Sequence, residues 1–387
     1  MTTNGVHKSK DPVLVVLQMS GGNDFMNTVI PYGNPLYYDY RKTVGVAEKD
    51  VLKINGTYGF HPTMSPIKKL YDAGKVAIVA GVGYPVPDRS HFRSMDIWHT
   101  AQPEKVAEEG WLGRMIRELD PKKQNVCTGV SFGMGLPRAM SLKGTPAVSV
   151  SQLERFGLLT SLPGERQRRA LTAFTCMYMP EEVGEADMTL DHIGQTGMDA
   201  LSAVDTLTKA PKAYTSTVEY ASDQLSQSLK AIAQVHTAGI GTRIFYAQLG
   251  GFDTHGAQIG THSSLWTIIG RAVTDFFDDL RQHNAAEEVV MLVFTEFGRR
   301  VRDNGNGTDH GSGGGAFMIG DRIKGGMYAE YPSLAADKLL SGDLQFNNDF
   351  RSVYSTIIED WFGVQPEPIV NGRFEKFPGM FKPLTTR

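Results

Sequence analysis

Five short stretches of the chain gather residue types that can hold a cation or move a proton: Asn23-Asp24, Arg89-Ser90-His91-Phe92-Arg93, Asp253-Thr254-His255, Glu296 and Asp309-His310. Carboxylates are hard donors and imidazoles borderline ones, a mixture that suits zinc, manganese or magnesium. Two such ions about 3.5–4 Å apart could steady both the attacking and the leaving oxygen of an ester cleavage. Ser90 offers a hydroxyl at what reads as a helix start, where backbone N–H groups and the helix dipole favour an alkoxide and a bound anion. Arg89 and Arg93 flank it and could grip a phosphate or sulfate through paired N–H groups. Plainer readings exist for each. Asp24 could close a turn, Ser90 could only cap the helix carrying Phe92, Met95 and Trp98, and Asp253 with His255 could be a local hydrogen-bonded pair. His61 and His262 could stand behind such a site; His7, His99, His192, His236 and His283 carry no functional signal.

The stretches share a position in the chain. Each lies downstream of an apolar run: Val13–Leu17, Val76–Ala80, Ile244–Gln248 and Val289–Phe294 are short, β-branched and apolar without alternation, the pattern of strands buried on both faces. Pro146–Val150 and Ala316–Ile319 are weaker examples of the same pattern. Between them lie helical patterns, of which Ser264–His283 is the strongest, with Leu265, Ile268, Ile269, Ala272, Val273, Phe276 and Leu280 on one stripe. Alternating strands and helices predict an α/β fold with a mostly parallel central sheet and helices on both faces. Ligands of such sheets collect beyond the carboxyl ends of the strands. The expectation is therefore one cleft holding Asp24, Asp253, Glu296 and His310. Residues 151–236 differ in being richer in Ser, Thr, Gln and charge. They read as a helical insertion, with a helix over Val218–Val235, inside a single domain spanning 1–387.

The motifs Asn23-Asp24, Arg89-Ser90-His91-Phe92, Phe252-Asp253-Thr254-His255, Thr295-Glu296-Phe297-Gly298-Arg299 and Asp309-His310-Gly311, in this order between about Pro12 and Phe381, resemble the large bacterial family known as domain of unknown function 1501. That family is similar in turn to the alkaline-phosphatase-like superfamily of sulfatases, phosphodiesterases and phosphoglycerate mutases. The resemblance implies a metal-dependent hydrolase of phosphate or sulfate esters, with Ser90 or a metal-bound water as nucleophile and His91 or His310 assisting proton transfer. It implies Asp24, Asp253, His255, Glu296, Asp309 and His310 as metal ligands. Asn23, Arg89 and Arg93 would contact a small anionic ester or glycan-type ligand. Two departures matter: Asp253 and His255 stand two apart where the superfamily spaces them by four, and Phe297 occupies the place of a metal imidazole. One metal or none is thus also open, and with it a protein that binds an anionic ligand without cleaving it.

Composition removes other classes. The chain of 387 residues carries a net charge of −3, and dispersed Lys and Arg give no basic face for nucleic acid. The densest basic run, Arg166 to Arg169, reads as solvated surface. Two cysteines, Cys127 and Cys176, cannot form a disulfide framework or a cysteine-based zinc site and read as small buried hydrophobes. No apolar run reaches the roughly 18 residues of a membrane span. Met1 to Asp11 is polar without an apolar core, so the sequence as it stands reads as that of a cytoplasmic protein or of an exported one whose export segment is not included.

Overall fold

A computed structural model of the chain describes residues 11–133, 135–153, 162, 164–178 and 188–383. The polar start at 1–10, parts of the expected insertion (154–161, 163 and 179–187) and the side chain of Cys176 lie outside the described residues.

Nine strands form the main sheet: β1 Val13–Met19, β2 Val76–Gly83, β3 Gly129–Phe132, β4 Val148–Val150, β5 Ile244–Leu249, β6 Val289–Thr295, β7 Gly314–Ile319, β8 Gly326–Tyr328 and β9 Asn348–Asp349. Their order is β8-β2-β7-β6-β1-β5-β3-β4, with β9 also paired to β2. Every pairing is parallel except those of β7, which runs antiparallel between β2 and β6. The fold class read from the sequence is therefore the one observed, with one correction: Ala316–Ile319 is a strand, but an antiparallel one. This reversal has a consequence for the site. The start of an antiparallel strand lies at the edge where its parallel neighbours end, so the turn before β7 reaches the same edge as the turns after β1, β5 and β6.

The four central runs are uniformly apolar because both faces are covered. Val13, Val15, Leu17 and Met19 of β1 face one core, shared with helices α1 (Ser65–Asp72), α4 (Gln224–Thr237) and α5 (Gln258–Gln282). Leu14 and Val16 face the other, shared with α2 (His91–Thr100), α3 (Trp111–Leu119) and α6 (Phe350–Thr356). Full burial of each Val or Leu side chain contributes about 1.5–3 kcal/mol.

Two helices differ from their expected bounds. Helix α5 begins at Gln258, six residues before Ser264, and so carries Gln258 and His262 into the interior. Helix α4 begins at Gln224 because Asp223 caps it, accepting from Ser226 N at 2.9 Å. The preceding residues serve another purpose: Tyr214, Ser216 and Tyr220 donate hydroxyls to the buried Asp279 of α5 at 2.5, 2.6 and 2.8 Å. Cys127 is buried and free, as expected. Among the described residues, no helix is long and apolar enough to cross a membrane.

Candidate metal centre and adjoining cavity

The turns at the carboxyl edge bring four donor atoms together. Asp253 Oδ1 lies 3.0 Å from His310 Nε2, 3.1 Å from His255 Nε2 and 3.4 Å from His91 Nε2. His310 Nε2 in turn lies 3.0 Å from His91 Nε2 and 2.8 Å from His255 Nε2. Among the described residues, His91, Asp253 and His310 form the one group whose ligand atoms all fall within 4.8 Å of one another. His255 approaches the same Asp253 and His310 atoms without joining that group.

The opposite nitrogen of each imidazole fixes its tautomer. His91 Nδ1 meets Glu296 Oε1 at 2.7 Å, His255 Nδ1 meets Asp309 Oδ1 at 2.9 Å, and His310 Nδ1 meets the carbonyl of Arg89 at 2.8 Å. Carboxylates and carbonyls accept, so each Nδ1 carries the hydrogen and each Nε2 turns its lone pair inward, towards an anionic carboxylate. Lone pairs converging at these separations repel unless a cation stands among them. Imidazoles anchored through Nδ1 to a carboxylate or carbonyl are the usual arrangement of metal-binding histidines.

Electrostatics keep the carboxylates ionised and, with no cation among the donors, favour a protonated His91. The hydrogen bond that His91 donates to Glu296 raises the pKa of His91. Burial works to raise that of Glu296, but bonds from His91, Thr295 and Gly21 N hold it below its ordinary value. Burial likewise opposes ionisation of Asp253, yet the bond from Arg299 and the approach of His310 bring it down to about 2. The approach of Gly21 N to Glu296 Oε1, 2.9 Å, needs a glycine. Gly21 has φ +120°, and a Cβ there would stand 2.4 Å from Asp253 N.

Several residues expected at the site are elsewhere or do something else. Glu296 and Asp309 orient imidazoles rather than pointing at the donor group. Asp24 is fully buried away from it: both oxygens are held by Arg41, and Gln258 Nε2 donates to Oδ2 at 2.5 Å. Three of the roughly four lone-pair sites of this carboxylate are thus taken up within the core. Asn23 is buried structure too, bonding Thr28 and accepting from Trp266 Nε1 at 3.1 Å. Arg89 is bound to Asp343, and Arg93 to Asp96 and the carbonyls of Pro103 and Lys105, so both guanidiniums have partners within the protein. Ser90 does begin α2, but its side chain makes no capping bond and is exposed. His262 and His61 sit edge to face behind Asp24, 5.2 Å between ring centroids. Phe297, in the place of an imidazole, packs beneath His91 and His310 with centroid distances of 4.8 and 5.1 Å.

Beside His91 opens a cavity of about 660 Å³, lined by Ser90, Phe92, Met95, His99 and Arg138 among others. Its floor is a buried polar set: His99 Nε2 reaches Gln18 Oε1 at 2.9 Å and Tyr246 OH at 3.1 Å, and Gln18 Nε2 donates to Ser20 Oγ at 2.6 Å. Phe92, at the rim, is 91% exposed, an unusual position for a ring unless something covers it. Nothing local in the chain marks His99 or Arg138, which become neighbours of Ser90 only through folding. Arg299 lies within the Glu296 motif, and its partners too are set only by folding.

The family described as "Protein of unknown function (DUF1501)" matches residues 11–341. No curated protein matches the chain in sequence. Among solved structures, the chain is similar to a protein in the alkaline phosphatase superfamily from Vibrio parahaemolyticus, at 11% identity and TM-score 0.41, covering 98% of this chain and 72% of that one. It is also similar to the lipoteichoic acid synthase LtaP from Listeria monocytogenes, at 9% identity and TM-score 0.38, covering 87% and 74%. A third is the C-terminal periplasmic domain of EcEptC from Escherichia coli in complex with zinc, at 9% identity and TM-score 0.37, covering 81% and 75%.

Proposed function

The chain belongs to the DUF1501 family, and we propose that it is a metal-dependent hydrolase of phosphate or sulfate monoesters built around a single divalent ion. The observation that carries this reading is a geometry: His91 and His310 each set Nδ1 against a fixed acceptor and aim Nε2 at the Asp253 carboxylate. Two imidazoles and one carboxylate are a donor set suited to zinc, and three protein ligands leave a position open, as catalytic zinc sites do. A bound ion would supply positive charge to polarise the ester oxygens.

The other roles fall to the chain's own groups. Ser90, unengaged at the start of α2, is the nucleophile, with the free N–H groups of the first helical turn beside it. His255, backed by Asp309 and outside the three-residue group, is the imidazole available for proton transfer. The organic part of the ester occupies the cavity over Phe92, Met95 and His99.

The test is elemental analysis of protein purified without chelator, followed by turnover of aryl phosphates and aryl sulfates with added zinc, manganese or magnesium. About one equivalent of metal with turnover of either ester supports the reading. Metal without turnover, together with stoichiometric binding of phosphate or sulfate, would replace it with a non-catalytic anion-binding protein.

A further inference from the structure

We infer that Asp343 is a positioning residue for the proposed metal centre, acting through Arg89 to fix the carbonyl that sets the tautomer of His310. The inference rests on the metal-centre reading and extends it to a residue two positions beyond the span matched by the family.

The contacts form one line. Asp343 Oδ2 accepts from Arg89 Nε at 3.0 Å and from Arg89 Nη2 at 2.6 Å. The carbonyl of the same Arg89 accepts the Nδ1–H of His310 at 2.8 Å. Ser90 and His91 follow directly in the chain, so the ion pair holds the peptide that orients one histidine and launches the helix bearing the other. Of the three imidazoles, His310 alone is oriented by a neutral carbonyl instead of a carboxylate. Its tautomer therefore depends on where a loop peptide is held, which a carboxylate partner with two oxygens would tolerate better.

Asp343 is fastened at its own end. The 340–343 turn closes through paired backbone bonds of 3.0 and 3.1 Å between Leu340 and Asp343, with Ser341 and Gly342 both at positive φ. Val301 N donates to Gly342 O at 3.2 Å, tying this turn to the segment that follows Arg299. The arrangement is expensive for a merely structural surface pair. Asp343 is 1% exposed, and its Oδ1 makes no hydrogen bond, with Arg300 Nε only at 3.4 Å. A buried carboxylate left half satisfied costs stability, and Arg89, itself 43% exposed, could have been solvated without it.

Two variants test the inference, Asp343→Asn and Arg89→Lys, the second on a half-exposed side chain so that a folded sample is obtained if the first unfolds. In metal-free protein, long-range ¹⁵N–¹H spectra of the histidine rings should show a hydrogen held on His310 Nδ1 in the wild type, whether or not Nε2 is also protonated beside Asp253, and a hydrogen shared between Nδ1 and Nε2 in both variants. Zinc affinity, measured by chelator competition, should fall about 10–100-fold, with Arg89→Lys the milder change. A lowered melting temperature with His310 still in the Nδ1–H form and zinc affinity within about twofold of wild type would reduce Asp343 to a structural residue and overturn the inference. A wild type that takes up no zinc would remove the metal-centre reading instead. The tautomer measurement, made without metal, would still decide whether Asp343 governs His310.

Discussion

Arg299 Nη2 sits 2.7 Å from Asp253 Oδ1, and the guanidinium behind it is buried. Its remaining N–H groups go to carbonyls of other turns: Nε to Gly22 at 2.7 Å, Nη1 to Thr308 at 2.9 Å, Nη2 to Gly21 and, at 2.9 Å, to Phe252. One planar cation thus fastens the turns after β1 and β5 and the turn before β7, and among the described residues Asp253 Oδ2 makes no hydrogen bond.

Lysine at this position would keep the charge but not the fork. Arg299→Lys should leave several buried carbonyls unpaired, at about 1–3 kcal/mol each, and should reduce bound zinc. Urea unfolding and metal analysis on the same preparation check this. A loss of stability below about 1 kcal/mol would mean that the turns hold together without the clamp.

His310 and His255 should separate by function. His310→Ala removes a donor that sits between the other three and should abolish stoichiometric zinc. His255→Ala should keep zinc while turnover of an aryl ester falls about 10²–10⁴-fold, the usual worth of a general acid or base. Equal metal loss in both variants would make His255 a ligand.

Asp24 is held in the core by Arg41 and Gln258, and a variant separates that role from metal binding. Asp24→Asn leaves the buried Arg41 without its counter-charge and should destabilise by about 3–5 kcal/mol, with metal per folded molecule unchanged. The pH dependence follows from its pKa, which burial would raise but which Arg41, with help from Gln258 and His262, holds below the usual 3.8. A depressed folded pKa gives stability that is present above the unfolded value and is lost as pH falls through the folded one. Wild type should therefore lose stability steeply below about pH 4, and the variant, already without the pair, less so. Parallel acid-unfolding curves would contradict the assignment.

Ser90 caps nothing with its side chain. The loss of about 1 kcal/mol expected of a missing N-cap should be absent in Ser90→Ala, with stability within about 0.5 kcal/mol of wild type. Turnover should fall by orders of magnitude if its hydroxyl attacks the ester. Melting temperature and ester hydrolysis on one sample decide; unchanged hydrolysis removes Ser90 from the chemistry.

The strands and the edge at which the donors gather were legible in the chain itself. Runs such as Val13–Leu17 and Val289–Phe294 admit few other structures, and a parallel sheet fixes where their trailing residues go. His91, Asp253, His255 and His310 could accordingly be named from residue type and position along the chain. The role of each was not legible. Glu296 and His91 are 205 residues apart in sequence yet 2.7 Å apart in space, and whether a carboxylate faces an ion or the back of an imidazole depends on a few ångströms of turn geometry. Asp24 looked like a ligand because nothing local distinguishes a free carboxylate from one that will meet Arg41 and Gln258 across the core.

Local pattern determined the α/β class, the sheet's strands and the list of candidate donors, because periodicity and strand ends act over a few residues. The tertiary structure alone decided three things: the antiparallel β7 that brings Asp309 and His310 to the carboxyl edge, the Arg299 clamp over three turns, and the Arg89–Asp343 pair behind His310. These are contacts between segments distant in sequence, made by side chains whose partners are chosen by packing and by the cost of burying an unpaired charge.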